Sequence, residues 1–96
     1  MSKVNYQVLM LFSVANGEEA TEAVKTKFLD LISANGTLGE VNEWGKRKLA
    51  YPVNDEPEGF YVLADFEAEP EFPREFDRVF GITEGALRAM ITRKGE

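Results

Sequence analysis

Neither cysteine nor histidine occurs among the 96 residues. Without cysteine there is no disulfide, no thiolate metal site and no thiol nucleophile. Without histidine the chain lacks the commonest general base, the commonest transition-metal ligand and the side chain that titrates near neutral pH. Bases are in the minority: 11 lysines and arginines stand against 17 aspartates and glutamates, a net charge of −6. Taken globally, that balance argues against nucleic acid, because phosphate contacts need lysine and arginine. Long apolar runs are missing as well, and nothing approaches the roughly 20 residues of a membrane span. Lys3 and the Val8–Phe12 run faintly imitate a secretory leader. Asn5 and Gln7 interrupt that stretch, and the run is shorter than the ~7–15 residues such a leader requires. The expectation is a cytoplasmic protein without membrane contact.

What remains is ordinary for a globular domain, with 44% hydrophobic and 29% charged residues. The length suits one domain, 1–96, around one core. Val4 to Phe12 alternates as a strand, with Val4, Tyr6, Val8, Met10 and Phe12 on one face. Its other face, Asn5, Gln7, Leu9 and Leu11, turns apolar too, which suits a strand in mid-sheet. A helix follows to about Asn35, with Asn16 as its expected cap and Glu18, Glu19 and Glu22 near its positive start. Its apolar stripe is Ala20, Val24, Phe28, Leu31 and Ile32, and Asn35-Gly36 predicts a left-handed stop. Thr37 to Val53 reads as a long extended stretch with a bulge at Gly45, and Asn54 to Gly59 as a hairpin loop.

Phe60 to Ala68 is a third strand, with Phe60, Val62, Ala64 and Phe66 opposed to Tyr61, Leu63, Asp65 and Glu67. Phe72, Phe76, Val79 and Phe80 carry helical spacing, so Pro70 to Phe80 predicts a short helix that begins near Pro73 and ends at Gly81. Ala86 to Arg93 is the last strand, with Leu87, Ala89 and Ile91 alternating against Arg88, Met90 and Thr92. The order βαββαβ predicts an α+β, ferredoxin-like sandwich: a four-stranded antiparallel sheet with two helices on one face. The first and third strands, the most apolar, take the centre. Leu9, Leu11, Tyr61 and Leu63 then point at the bare face, which makes them candidates for partner contact.

No catalytic site is legible. Carboxylates abound, yet none sits in a motif, and Gly36-Thr37-Leu38-Gly39 lacks the lysine and spacing of a phosphate loop. No cofactor, metal or small-molecule substrate is implied. Gly59-Phe60-Tyr61-Val62 only partly matches the base-stacking strand of RNA-recognition modules, because Glu58 stands where a base is usual. Charge is uneven along the chain. Residues 54–77 hold nine acids and one base, Arg74, whereas Lys46-Arg47-Lys48 and Arg88, Arg93 and Lys94 concentrate positive charge. The strongest local signal is Trp44-Gly45-Lys46-Arg47-Lys48-Leu49-Ala50-Tyr51-Pro52. Three consecutive bases flanked by aromatics suit phosphate binding. They equally suit an exposed strand whose bases pair with Glu40, Glu43 or the acidic loop.

That segment resembles the signature of the bacterial small-subunit ribosomal protein S6 family (bS6). Glu58 to Leu63, Phe66 to Pro70, Leu87-Arg88 and the opening Tyr6 to Leu11 continue the resemblance in register across essentially the whole chain. Phe72-Pro73 is an unusual helix start for the family. The resemblance implies a structural, non-enzymatic constituent of the cytoplasmic ribosome. It would bind the central domain of small-subunit (16S) ribosomal RNA together with the basic ribosomal protein S18. The expected RNA contacts are Lys46, Arg47 and Lys48, then Lys3, Arg88, Arg93 and Lys94; the partner contacts are Leu9, Leu11, Tyr61 and Leu63. The competing class is a free-standing ferredoxin-like binding module or an acylphosphatase-like enzyme. An acylphosphatase needs an arginine in a phosphate-cradling loop after its first strand, and Ser13-Val14-Ala15-Asn16-Gly17 has none.

Overall fold

The computed structural model describes residues 3–53 and 56–94. Its elements run β1 (Val4–Ser13), α1 (Glu18–Asn35), β2 (Gly36–Val53), β3 (Glu56–Ala68), α2 (Phe72–Gly81) and β4 (Ala86–Arg93). The strands form one antiparallel sheet in the order β2-β3-β1-β4, so the two most apolar strands do lie in the centre. In the β1–β3 ladder Tyr6 pairs with Phe66, Val8 with Ala64, Met10 with Val62 and Phe12 with Phe60. Those residues share a face by the two-residue period, and both helices cover it. This is the ferredoxin-like sandwich.

The core is a seam of rings. Phe28 of α1 lies 4.8 Å from Phe80, 5.4 Å from Phe76 and 6.3 Å from Phe12, centroid to centroid. Phe72 meets Phe66 edge-on at 5.7 Å, and Phe66 stacks on Tyr6 at 5.4 Å. Phe72, Phe76 and Phe80 fall four residues apart, so α2 presents one ring per turn to the sheet. That spacing is why so short a helix docks securely. Offset and edge-to-face pairs add about 0.5–1.5 kcal/mol each beyond burial.

Several local expectations need correction. Asn16 does not cap α1: Gly17 occupies the cap position and no side chain bonds the free N–H groups there. Instead Thr21 Oγ1, buried, donates to Ser13 O at 2.8 Å, with Gly17 O at 3.1 Å, tying the helix start to the end of β1. Nor is Gly36 left-handed. Its φ is −173°, the helix passes straight into β2, and a Cβ there would lie 2.1 Å from Glu67 O. Glycine is required because two backbones approach, not because the chain turns.

The bulge at Gly45 is present: its φ is +86° and the β2–β3 register shifts between Glu43 and Gly45. The hairpin is tighter than expected. Strand pairing resumes at Glu56, so Glu56 to Gly59 belong to β3, and the remainder of the expected loop, 54–55, lies outside the described residues. On β4, Ala89 and Ile91 reach the core, while Leu87 falls at a register shift between Leu11 and Phe12.

Because Phe28 touches three other rings and is fully buried, Phe28→Ala should cost about 3–5 kcal/mol. Denaturant titration should show a lower midpoint with little change in slope. A loss below about 1 kcal/mol would mean that the seam is not the centre of the core.

Candidate nucleic-acid interface

The basic run lies on β2, the edge strand, just past the bulge. Lys46 pairs with Phe60, Arg47 with Gly59 and Lys48 with Glu58. Since neighbours along a strand point to opposite faces, Lys46 and Lys48 go to one side and Arg47 to the other. The run is therefore split, not a single patch. Lys46 lines a groove on the helix side with Thr21, Glu22, Glu43 and Phe60. Its ammonium is 3.9 Å from Glu58, and Arg47 Nε donates to Trp44 O at 3.3 Å. All three bases are exposed.

The other four bases divide by position. Arg88 lies opposite Leu11, at the same end of the sheet as the basic run. Arg93 lies opposite Tyr6, Lys3 immediately precedes β1, and Lys94 follows β4. Lys94 donates its backbone N–H to Asn5 O at 2.8 Å and pairs with Asp65 at 3.3 Å. Tyr6 and Phe12 are six residues apart on β1, so by the ~3.4 Å rise per residue the two groups stand roughly 20 Å apart. The structure brings Lys46, Arg47, Lys48 and Arg88 to one end. It does not bring Lys3, Arg93 and Lys94 there.

The face away from the helices carries the four apolar candidates in two adjacent rows. Leu9 lies between Leu63 and Met90, and Leu11 between Tyr61 and Arg88. Leu11 is buried although no helix covers it. It sits where Gly59 has no side chain, since a Cβ at Gly59 would be 2.3 Å from Leu11 Cδ1. Leu49, Ala50 and Tyr51 of β2 line the same groove with Leu9, Tyr61, Arg88 and Met90. The Trp44 ring lies 5.9 Å from that of Tyr61. Tyr51 and Met90 are largely exposed, and Trp44 is partly so. Sequence reasoning placed Trp44 and Tyr51 only as flanks of the basic run, yet the fold makes them part of this apolar surface. The alternation of β4 already put Met90 on Arg88's side.

One charged residue was missed altogether. Lys25 projects from α1 with its side chain only 7% exposed, between Glu22 one turn back and Glu43 of β2, the latter at 2.5 Å. Burial pulls the Lys25 pKa down, but the two carboxylates outweigh it and hold the ammonium above its ordinary value. The visible signal was spacing: Lys25 stands seven residues before Ile32 and three before Phe28, on the inward stripe.

Comparison with known proteins decides the family. The profile of the family "Ribosomal protein S6" matches residues 5–93. The small ribosomal subunit protein bS6 of Clostridium novyi is 49% identical over 88 residues, 91% of this chain and 93% of that protein. Its counterpart in Clostridium perfringens is 44% identical over 90 residues, 93% and 95% of the two chains. The chain belongs to the ribosomal protein S6 family. The fold agrees with the crystal structure of the Thermotoga maritima 30S ribosomal protein S6 at a TM-score of 0.88, with 21% identity over 97% of this chain and 89% of that one. Within this family fold, the segment Trp44 to Pro52 that carried the resemblance occupies the bulged, protruding half of β2.

Lys25 gives the domain an alkaline signature. A raised lysine contributes stability that is fully present below its ordinary value of 10.5 and is lost as pH climbs through the raised one. Denaturation midpoints followed upward from pH 10.5 should therefore fall in the wild type relative to Lys25→Met. Parallel pH profiles for the two proteins would refute the assignment.

Proposed function

We propose that this chain is a non-catalytic structural constituent of the bacterial small ribosomal subunit, working in the cytoplasm as one domain. The observation that carries this reading is the near full-length identity, 49% and 44%, to proteins named for the small ribosomal subunit. At the finer level, the protein binds the central domain of the small-subunit ribosomal RNA jointly with ribosomal protein S18. Two properties support joint binding. The chain has a net charge of −6, so RNA repels it at long range. It also leaves Leu9, Tyr61 and Leu63 partly exposed, around the buried Leu11, on a sheet face that neither helix covers, where an apolar partner surface can dock. A basic partner supplies the charge this chain lacks, and the chain supplies the docking surface.

Lys46, Arg47, Lys48 and Arg88 form the principal RNA contacts in this reading, because they share one end of the sheet. Lys3, Arg93 and Lys94 act at the far end, if the RNA reaches that distance. Lys46 shares its charge with Glu58 and Lys94 with Asp65, which weakens each as a free phosphate ligand.

Membership of the subunit is tested by gradient fractionation. Washed small subunits should carry about one copy of the protein each. Recovery only in the free soluble fraction would sink the proposal.

Salt dependence tests the contacts. Each neutralised phosphate adds about −0.7 to −0.9 to the log–log slope, so the three bases of β2 account for about −2 to −3. The isolated protein should bind central-domain RNA weakly. With S18 present, replacing Lys46, Arg47 and Lys48 by alanine should flatten the ternary slope by about 2 to 3 units. An unchanged slope would remove these residues from the interface.

A further inference from the structure

The arm formed by the ends of β2 and β3 projects beyond the rest of the sheet. The β1–β3 ladder ends where Ser13 pairs with Gly59. Residues of β3 before Gly59, and those of β2 beyond Arg47, therefore have no β1 beside them, and they pair with each other only at Lys48 with Glu58 and Val53 with Glu56, with an irregular stretch between. This arm carries Lys48 at its root and Leu49, Ala50 and Tyr51 along it. A two-stranded ribbon alone is marginally stable and free to twist about its base. Something must set its direction.

One polar tie from the body reaches it, and a second holds β2 ahead of it. Ser13 Oγ donates to Glu56 Oε1 at 2.6 Å and accepts from the Ala15 N–H at 3.1 Å. Lys25 Nζ donates to Glu43 Oε2, one residue before the stretch where the register slips. Among the described residues, that bond is the only side-chain hydrogen bond or ion pair between α1 and β2. It grips β2 on the helix side at Glu43, while the next residue, Trp44, packs on Tyr61 of the opposite face. The strand is thus clamped from both sides immediately before Gly45, the left-handed bulge residue that re-aims it.

The same lysine also manages charge. Glu22, Glu43 and Lys46 line one groove. With Lys25 between them, the two carboxylates are engaged by an ammonium that lies almost out of solvent. Without it, both would face Lys46, whose nearest acid is otherwise Glu58 at 3.9 Å. Lys46 would be drawn from solution toward the groove, and a phosphate would meet two uncompensated negative charges beside its ligand.

We infer that Lys25 is a positioning residue for the basic run and the arm that follows it: through Glu43 it fixes where the bulge begins, and so the direction in which Lys46, Arg47 and Lys48 are held. The inference rests on the RNA reading of those three bases, but its first test needs no RNA. Trp44 is the chain's only tryptophan and adjoins Glu43, so its fluorescence anisotropy reports the clamp directly. In Lys25→Met the anisotropy should fall. Amide exchange at 46–51 and 56–59 should accelerate by at least about tenfold while Val8 to Phe12 and Leu87 to Ile91 keep their protection. Glu43→Gln, at a half-exposed site that does not threaten folding, should shift the same amides in the same direction by less, since Glu22 still holds Lys25. Acceleration spread evenly over all strands would mean that Lys25 merely stabilises the fold, and it would overturn the inference. So would an unchanged arm in both variants. If the arm loosens selectively but ternary binding to central-domain RNA with S18 is unaltered, the positioning stands and the RNA assignment of the three bases fails.

Discussion

The rest of the molecule depends on the contact of Phe28 with Phe12, Phe76 and Phe80. Those four rings come from a central strand and both helices, and they join the three elements. Two helices suffice to cover one face of four strands, and among the described residues no further element covers the other. The ring seam therefore decides which face is core and which is surface. Once Phe12 and Phe66 turn toward the helices, the period of two forces Leu9, Leu11, Tyr61 and Leu63 the other way. An apolar open face is a consequence of this packing, and its composition is where function has room to act.

That open face is partly self-covered. Leu11 fills the gap left by Gly59, and Leu49 to Tyr51 line the same groove from the edge strand. What stays exposed is a limited set, chiefly Tyr51, Met90 and half of Trp44, with Arg88 beside them. A surface of this kind exposes less apolar area than its composition suggests, because its large side chains shield one another. It still offers aromatic and sulfur-bearing anchors next to a guanidinium, the residue types that interfaces favour.

Much of this was legible in the sequence, and the failures have physical causes. Strand faces were readable because the alternation in Val4 to Phe12 and Phe60 to Ala68 is nearly unbroken, and the central placement followed from apolar residues on both sides of Val8 to Phe12. Asn16 and Gly36 were misjudged because local propensity describes an isolated turn. The actual constraints were tertiary: the Thr21 hydroxyl bonded to Ser13, and the Glu67 carbonyl pressed against Gly36. The same limit hid Lys25. Glu22 is local, but Glu43 lies 18 residues away, and only the docking of β2 beside α1 brings it into range. The division of Lys46-Arg47-Lys48 between two faces was available from the period of two, yet a compact run of bases invites treatment as one unit. Tyr51 and Trp44 joined the open face only because the bulge at Gly45 and the length of the arm carry them there.

The charge arrangement completes the logic. Three of the bases at the run's end of the sheet have an acid beside them or on the paired strand: Lys46 has Glu58, Lys48 lies opposite Glu58, and Lys25 is committed to Glu22 and Glu43, whereas Arg47 pairs with Gly59 and Arg88 with Leu11. Glu56 beside them is held by a neutral hydroxyl, so its charge stays uncompensated. The local field there is close to balanced, in a chain whose total is −6. In the proposed complex, long-range attraction cannot then draw RNA to this end of the sheet, because screened charges of both signs nearly cancel beyond ~8–10 Å. On that proposal, selection comes from short-range fit, in which apolar side chains dock and a few bases are already aimed when contact is made. That is the condition under which the direction of the arm matters more than the number of its lysines. A rigid clamp at Glu43 serves such a surface better than additional positive charge would.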